Sequence, residues 1–111
     1  MDRSMVRQGD VLLIPVSQIP NGATVVKTTA GRVVLAEGES TGHAHTLEAG
    51  SATLYSTADS ADRWLRVHGQ SGGGVAVLTH QEHASIELPP GDYIMRRQRE
   101  YTPEEIRRVA D

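Results

Sequence analysis

The chain reads as an all-β protein, a small antiparallel barrel or sandwich, on three observations. Short runs rich in Val, Ile, Leu and Thr recur from the first residues to about Tyr101. Gly, Pro, Asn and Asp separate them at turn spacing, and the period changes only after Tyr101. A length of 111 residues predicts one domain, residues 1–111, able to bury about two-thirds of its extended surface. With 38% hydrophobic residues and no Phe, the core falls to Val, Leu, Ile and Ala, with Trp64, Tyr55, Tyr93 and Tyr101.

Val11 to Val16 reads as a buried strand, ended by Ile19-Pro20-Asn21-Gly22, whose Asn-Gly favours a tight turn. Ala23 to Thr29 and Arg32 to Leu35 suggest a hairpin about Ala30-Gly31. The polar stretch Ala36 to Gly42 leads into a strand from His43 to Leu47, and Gly50 turns the chain into Ala52 to Tyr55. Trp64 to Val67, Val75 to His80, Ala84 to Leu88 and Tyr93 to Arg99 complete eight or nine strands. Leu88-Pro89-Pro90-Gly91-Asp92 is the turn before the last of them. Thr102-Pro103-Glu104-Glu105 then places an N-cap, a Pro at the first helical position and a Glu at the third, predicting a short C-terminal helix over 102–111. So short a helix is marginal alone, so Ile106 and Val109 are expected to dock on the barrel or on a second subunit.

Four of the five histidines lie in two clusters, His43-Ala44-His45 and His80-Gln81-Glu82-His83. Neutral imidazole is the commonest protein ligand for transition metals, and two such clusters can converge on one ion. In a strand, residues two apart share a face, so His43 and His45 can bind together, with Leu47 and Ala49 beside them and Thr46 and Glu48 opposite. The spacing of His80 and His83 puts them on opposite faces of a straight strand. Parity with Ala76 and Leu78 ranks His80 first, and a turn at Gln81-Glu82 would restore His83. Both stay in the ligand set. Glu37, Glu39, Glu48 and Glu82 are the nearby carboxylates, of which Glu82 and Glu48 are the candidate bases. An ordinary strand end with wet or backbone-bonded imidazoles is the competing reading. His68 stands alone and is expected to be structural.

Composition excludes several classes. No cysteine is present, so disulfides, thiolate nucleophiles and Cys-ligated metals are absent and any metal has N/O ligands. Fourteen acidic against eleven basic residues, a net charge of −3, provide no field to gather nucleic acid or anionic lipid. The arginines at 96, 97, 99, 107 and 108 are balanced by Asp92, Glu100, Glu104, Glu105 and Asp111 and read as a salt-bridged face. The longest apolar run, Val11 to Val16, is too short to span a bilayer, and the N-terminus has no leader-like apolar region, which suggests a cytoplasmic protein. The zinc-protease strings, the nucleophile elbow and the phosphate loop are all missing.

On Gly38, His43-Ala44-His45, Glu48 and Gly50, followed by Pro89-Pro90-Gly91 and the His80/His83 pair, the chain resembles the cupin superfamily over roughly residues 38 to 91. That resemblance implies a jelly-roll barrel with a divalent ion in its mouth. The segments Leu88 to Tyr93 and Gln98 to Tyr101 are also similar to those of short bacterial and phage proteins, which implies no activity.

The expected cofactor is therefore a divalent transition metal, Zn, Ni, Mn or Fe, held by His43, His45 and His80 or His83. An open three-His site would suit an enzyme on a small-molecule substrate, whereas a closed four-His site would be structural. Metal-free His chemistry on phosphodiesters is a third class, for which His83-Ala84-Ser85-Ile86 provides only half a pattern. A homo-oligomer, most simply a dimer, is expected from the edge strands and the tail.

Overall fold

The computed structural model describes residues 4–37, 42–68 and 76–97. Ten strands run through them: β1 (Val6–Gln8), β2 (Val11–Val16), β3 (Thr24–Val25), β4 (Arg32–Glu37), β5 (Ala44–Glu48), β6 (Ala52–Ser56), β7 (Arg63–Val67), β8 (Ala76–Leu78), β9 (Ile86–Leu88) and β10 (Gly91–Arg97). No helix occurs among the described residues, and so none is long and apolar enough to cross a membrane.

Six strands form one antiparallel sheet in the order β1-β2-β10-β7-β6-β3. Two hairpins, β4-β5 and β8-β9, make the rest, and an antiparallel bridge between Thr46 and Thr79 joins them edge to edge. Alternation along each strand decides what faces inward. Val11 and Leu13 on β2, Tyr93 and Met95 on β10, Leu65 and Val67 on β7, and Ala52 and Leu54 on β6 are buried. They form one cluster with Val33, Leu35, Leu47, Ala76, Leu78 and Leu88 of the two hairpins, so a single core lies between the large sheet and the hairpins. The Tyr93 ring is wholly buried there, with its hydroxyl donating to the Pro89 carbonyl at 2.7 Å. A buried Tyr needs such a partner.

Three expectations change. The sheets are not closed into a barrel among the described residues. Ala23 to Thr29 does not pair with Arg32 to Leu35 as a hairpin. Only the Thr29–Arg32 bridge about the left-handed Ala30 and Gly31 remains, while β3 joins β6 and β4 takes β5 as its partner. The segment Val6–Gln8, not foreseen as a strand, pairs with β2 through a two-residue turn at Gly9-Asp10, with Gln8 opposite Val11. Gly9 has φ +58, the left-handed geometry such turns demand. The predicted helix over 102–111 lies outside the described residues.

Candidate metal centre

The bridge between Thr46 and Thr79 decides the site. Each backbone N–H donates to the other residue's carbonyl, at 3.0 and 2.9 Å, which puts β5 beside β8 with His45 next to His80. The Gln81 side chain accepts from the Ala44 N–H at 2.9 Å and ties the second cluster to the first. Strand β8 ends at Leu78, and residues 81–83 form a bend, so strand parity has no strand to act on at His80 and His83. Both rings enter the same cluster. Ring centroids are 4.3 Å apart for His45–His80, 4.6 Å for His80–His83, 5.7 Å for His43–His80 and 6.0 Å for His45–His83.

The four histidines line one cavity of about 200 Å³ with Asp10, Glu37, Glu82 and Arg97. His45 is buried, His43 and His80 are half-buried, and His83 is exposed. Glu82 reaches the rim, with Oε1 3.6 Å from His43 Nδ1. Glu48 ends β5 facing solvent and does not line the cavity, because alternation along β5 turns it away from His45 and Leu47. Gly38 and Glu39 lie outside the described residues. His68 is elsewhere, its Nε2 hydrogen-bonded to Thr53 Oγ1 at 2.8 Å.

Residues 8 to 10 and Arg97 are the part that sequence reasoning missed. Gln8 is buried, and its amide nitrogen donates to the carbonyls of Leu78 at 3.0 Å and Ala84 at 2.9 Å. Both amide hydrogens are thereby used, and the amide oxygen is turned to His45 Nδ1 at 2.9 Å. A flipped amide would set its oxygen against two carbonyl oxygens, so this orientation is determined. Gln8 Oε1 can only accept, so His45 Nδ1 carries the proton and Nε2 of the neutral ring is left with its lone pair. That Nε2 faces Asp10 Oδ1 at 3.3 Å. Arg97 holds the other carboxylate oxygen, donating from Nε at 3.0 Å and from Nη2 at 2.9 Å. The available signal was Gly9-Asp10 between two apolar stretches, a hairpin turn pattern.

Electrostatics sharpen the arrangement. Burial lowers the His45 pKa, and repulsion from His80 and His83 adds to this against the pull of Asp10, so the ring is neutral at pH 7. Burial also lowers the His80 pKa, with His83 and His43 adding and Glu82 and Asp10 opposing. For Asp10, burial works against the carboxylate, but the Arg97 hydrogen bond and charge, its own backbone N–H and His45 outweigh it and hold the pKa below the usual value. A neutral His45 therefore sets a lone pair opposite a carboxylate oxygen, a repulsion that either a bound cation or protonation of Nε2 removes. His80 differs, since its Nδ1 accepts the Glu82 N–H at 3.0 Å, which places the proton of the neutral ring on Nε2.

Ligands on a tetrahedral ion with Zn–N near 2.0 Å have ring centroids about 5 Å apart. The observed separations bracket that value. As the side chains are oriented here, no three His, Asp or Glu residues among the described ones form a group able to hold a metal ion, so ligation requires ring rotation. A second cavity, of about 820 Å³, lies against the first and shares Glu37 and Arg97 with it; Val26, Leu35 and Met95 line its apolar part and Lys27 and Arg63 its basic part.

No curated protein and no solved structure matches the chain. A family profile does match, over residues 7–98, and that span contains every residue of the cavity. The chain belongs to the family of the domain of unknown function DUF8820.

Proposed function

We propose that this protein binds one divalent transition-metal ion through its histidine cluster, with His45 as the first ligand and His43, His80 and His83 supplying the others. The carrying observation is the His45 ring, held neutral with its Nε2 lone pair aimed into a cavity lined by three further imidazoles. Nitrogen donors favour Zn, Ni, Mn or Fe over Ca or Mg. The finer fold that fits this reading is the jelly roll implied by the cupin resemblance.

Exposed His83 and Glu82 leave the ion within reach of solvent, which suits an open coordination position more than a closed structural site. The adjoining 820 Å³ cavity has room for a small-molecule substrate. Glu82, which lines the histidine cavity itself, is the candidate base. The test is elemental analysis of protein purified without a nickel column, followed by zinc, nickel and iron titrations of the stripped protein. About one ion per chain is expected. No bound metal and no heat on titration would refute the proposal.

A further inference from the structure

Resting on that metal reading, we infer that the turn joining β1 to β2 forms the second half of the centre, with Asp10 as a carboxylate ligand and Gln8 as the residue that positions His45.

Of the carboxylates that line the histidine cavity, Asp10 is the one set against the buried ring of His45. Its Oδ1 lies 3.3 Å from the His45 nitrogen that bears the lone pair, and its Oδ2 is occupied by two Arg97 donors. One oxygen is thus directed at the histidines while the other is held from outside, the usual situation of a metal-bound carboxylate. Gln8 performs the matching task for the imidazole. Its amide hydrogens are bound by Leu78 and Ala84 carbonyls, so its oxygen is obliged to receive the Nδ1 proton. Free imidazole has no such constraint. A histidine ligand almost always donates its other ring N–H to a fixed acceptor, and here that acceptor is a buried amide. Gly9 completes the turn: a Cβ there would lie 2.7 Å from His83 Nε2 and 3.2 Å from His45 Cε1, so the absence of a side chain admits both rings. The centre is then a mixed nitrogen and oxygen site, a donor set suited to Zn, Fe(II) or Mn(II).

The test begins on stripped, ¹⁵N-labelled full-length protein. Long-range ¹H–¹⁵N spectra should show His45 protonated at Nδ1; protonation at Nε2 would overturn the role of Gln8. Gln8→Met should shift the ring toward the Nε2–H form and weaken cobalt(II) and zinc binding by about 10–100-fold while leaving the cobalt absorption band at its wavelength, since the ligands are unchanged. Asp10→Asn, an isosteric change at a half-exposed turn, should weaken binding at least as much and also move the cobalt band. Wild-type affinity and an unmoved band in Asp10→Asn would overturn its role as ligand, even if Gln8→Met fails to fold. The two readings fail differently. A wild-type chain that binds neither ion removes the metal site and Asp10's role with it, while wild-type binding that survives both substitutions removes only this inference.

Discussion

At the scale of single residues, the histidines are not equivalent. His45 is buried with a determined tautomer, so His45→Ala should abolish metal binding, measured by zinc competition with a chromophoric chelator. Strand parity ranks His80 above His83, but β8 has already ended and His80 Nδ1 is engaged by the Glu82 N–H. His83→Ala should therefore cost at least as much affinity as His80→Ala. The opposite order would mean that His80 exchanges that bond for the metal and is the stronger ligand of the two. The lowered pKa values of His45 and His80 set the pH dependence. Their stability contribution is complete above the unfolded value of about 6.5 and is lost as pH falls from there toward the folded values, by up to about 1.4 kcal/mol per pH unit for each proton taken up. Metal affinity competes with the same protons. Its midpoint should fall below pH 6.5, not at the free-imidazole value, in titrations at stepped pH.

The turn of β1 and β2 is the element on which the site depends. Gly9→Ala forces a left-handed Ala, which costs about 1–2 kcal/mol, and brings a Cβ against the His83 ring. Because that ring is exposed it can swing away, so the fold should survive with a lower melting temperature and weaker zinc binding. Unchanged affinity would show that His83 is not a ligand. Strand β1 is also tied to the opposite layer, since Gln8 reaches the carbonyls that flank the bend between β8 and β9. The same three residues hold an edge strand and orient a histidine.

For the molecule as a whole, metal and fold should be linked. An ion at 100 times its Kd adds about 2.7 kcal/mol to stability, so saturating zinc should raise the melting temperature by several degrees, and His45→Ala should remove that rise. The outer face of the large sheet is the second global feature. Ile14, Ile94, Trp64, Tyr55 and Val25 stand opposite one another across β2, β10, β7, β6 and β3, a continuous apolar row on the side away from the core. The ion pairs Arg66–Asp92 and Arg96–Asp62 flank it and offer both signs of charge to a second copy. This row is the face on which the expected dimer would form. Light scattering should give about twice 12.0 kDa for the wild type and a monomer for Trp64→Arg; a wild-type monomer would refute it.

The amino-acid sequence by itself determined the all-β class, the inward residues of the strands that carry the two histidine clusters, and the absence of any thiol, because alternation, turn residues and missing cysteine are local properties. Leu47, Ala76 and Leu78 are buried where parity puts them. Only the tertiary structure decided which strands pair and therefore what the clusters meet. Thr46 beside Thr79, Gln8 against His45 and Arg97 on Asp10 join residues 33, 37 and 87 positions apart. No period or spacing encodes such pairings, because they follow from how two layers close over one core. For the same reason Glu48, near His45 in the chain, is turned to solvent, while Asp10, distant in the chain, faces the imidazole.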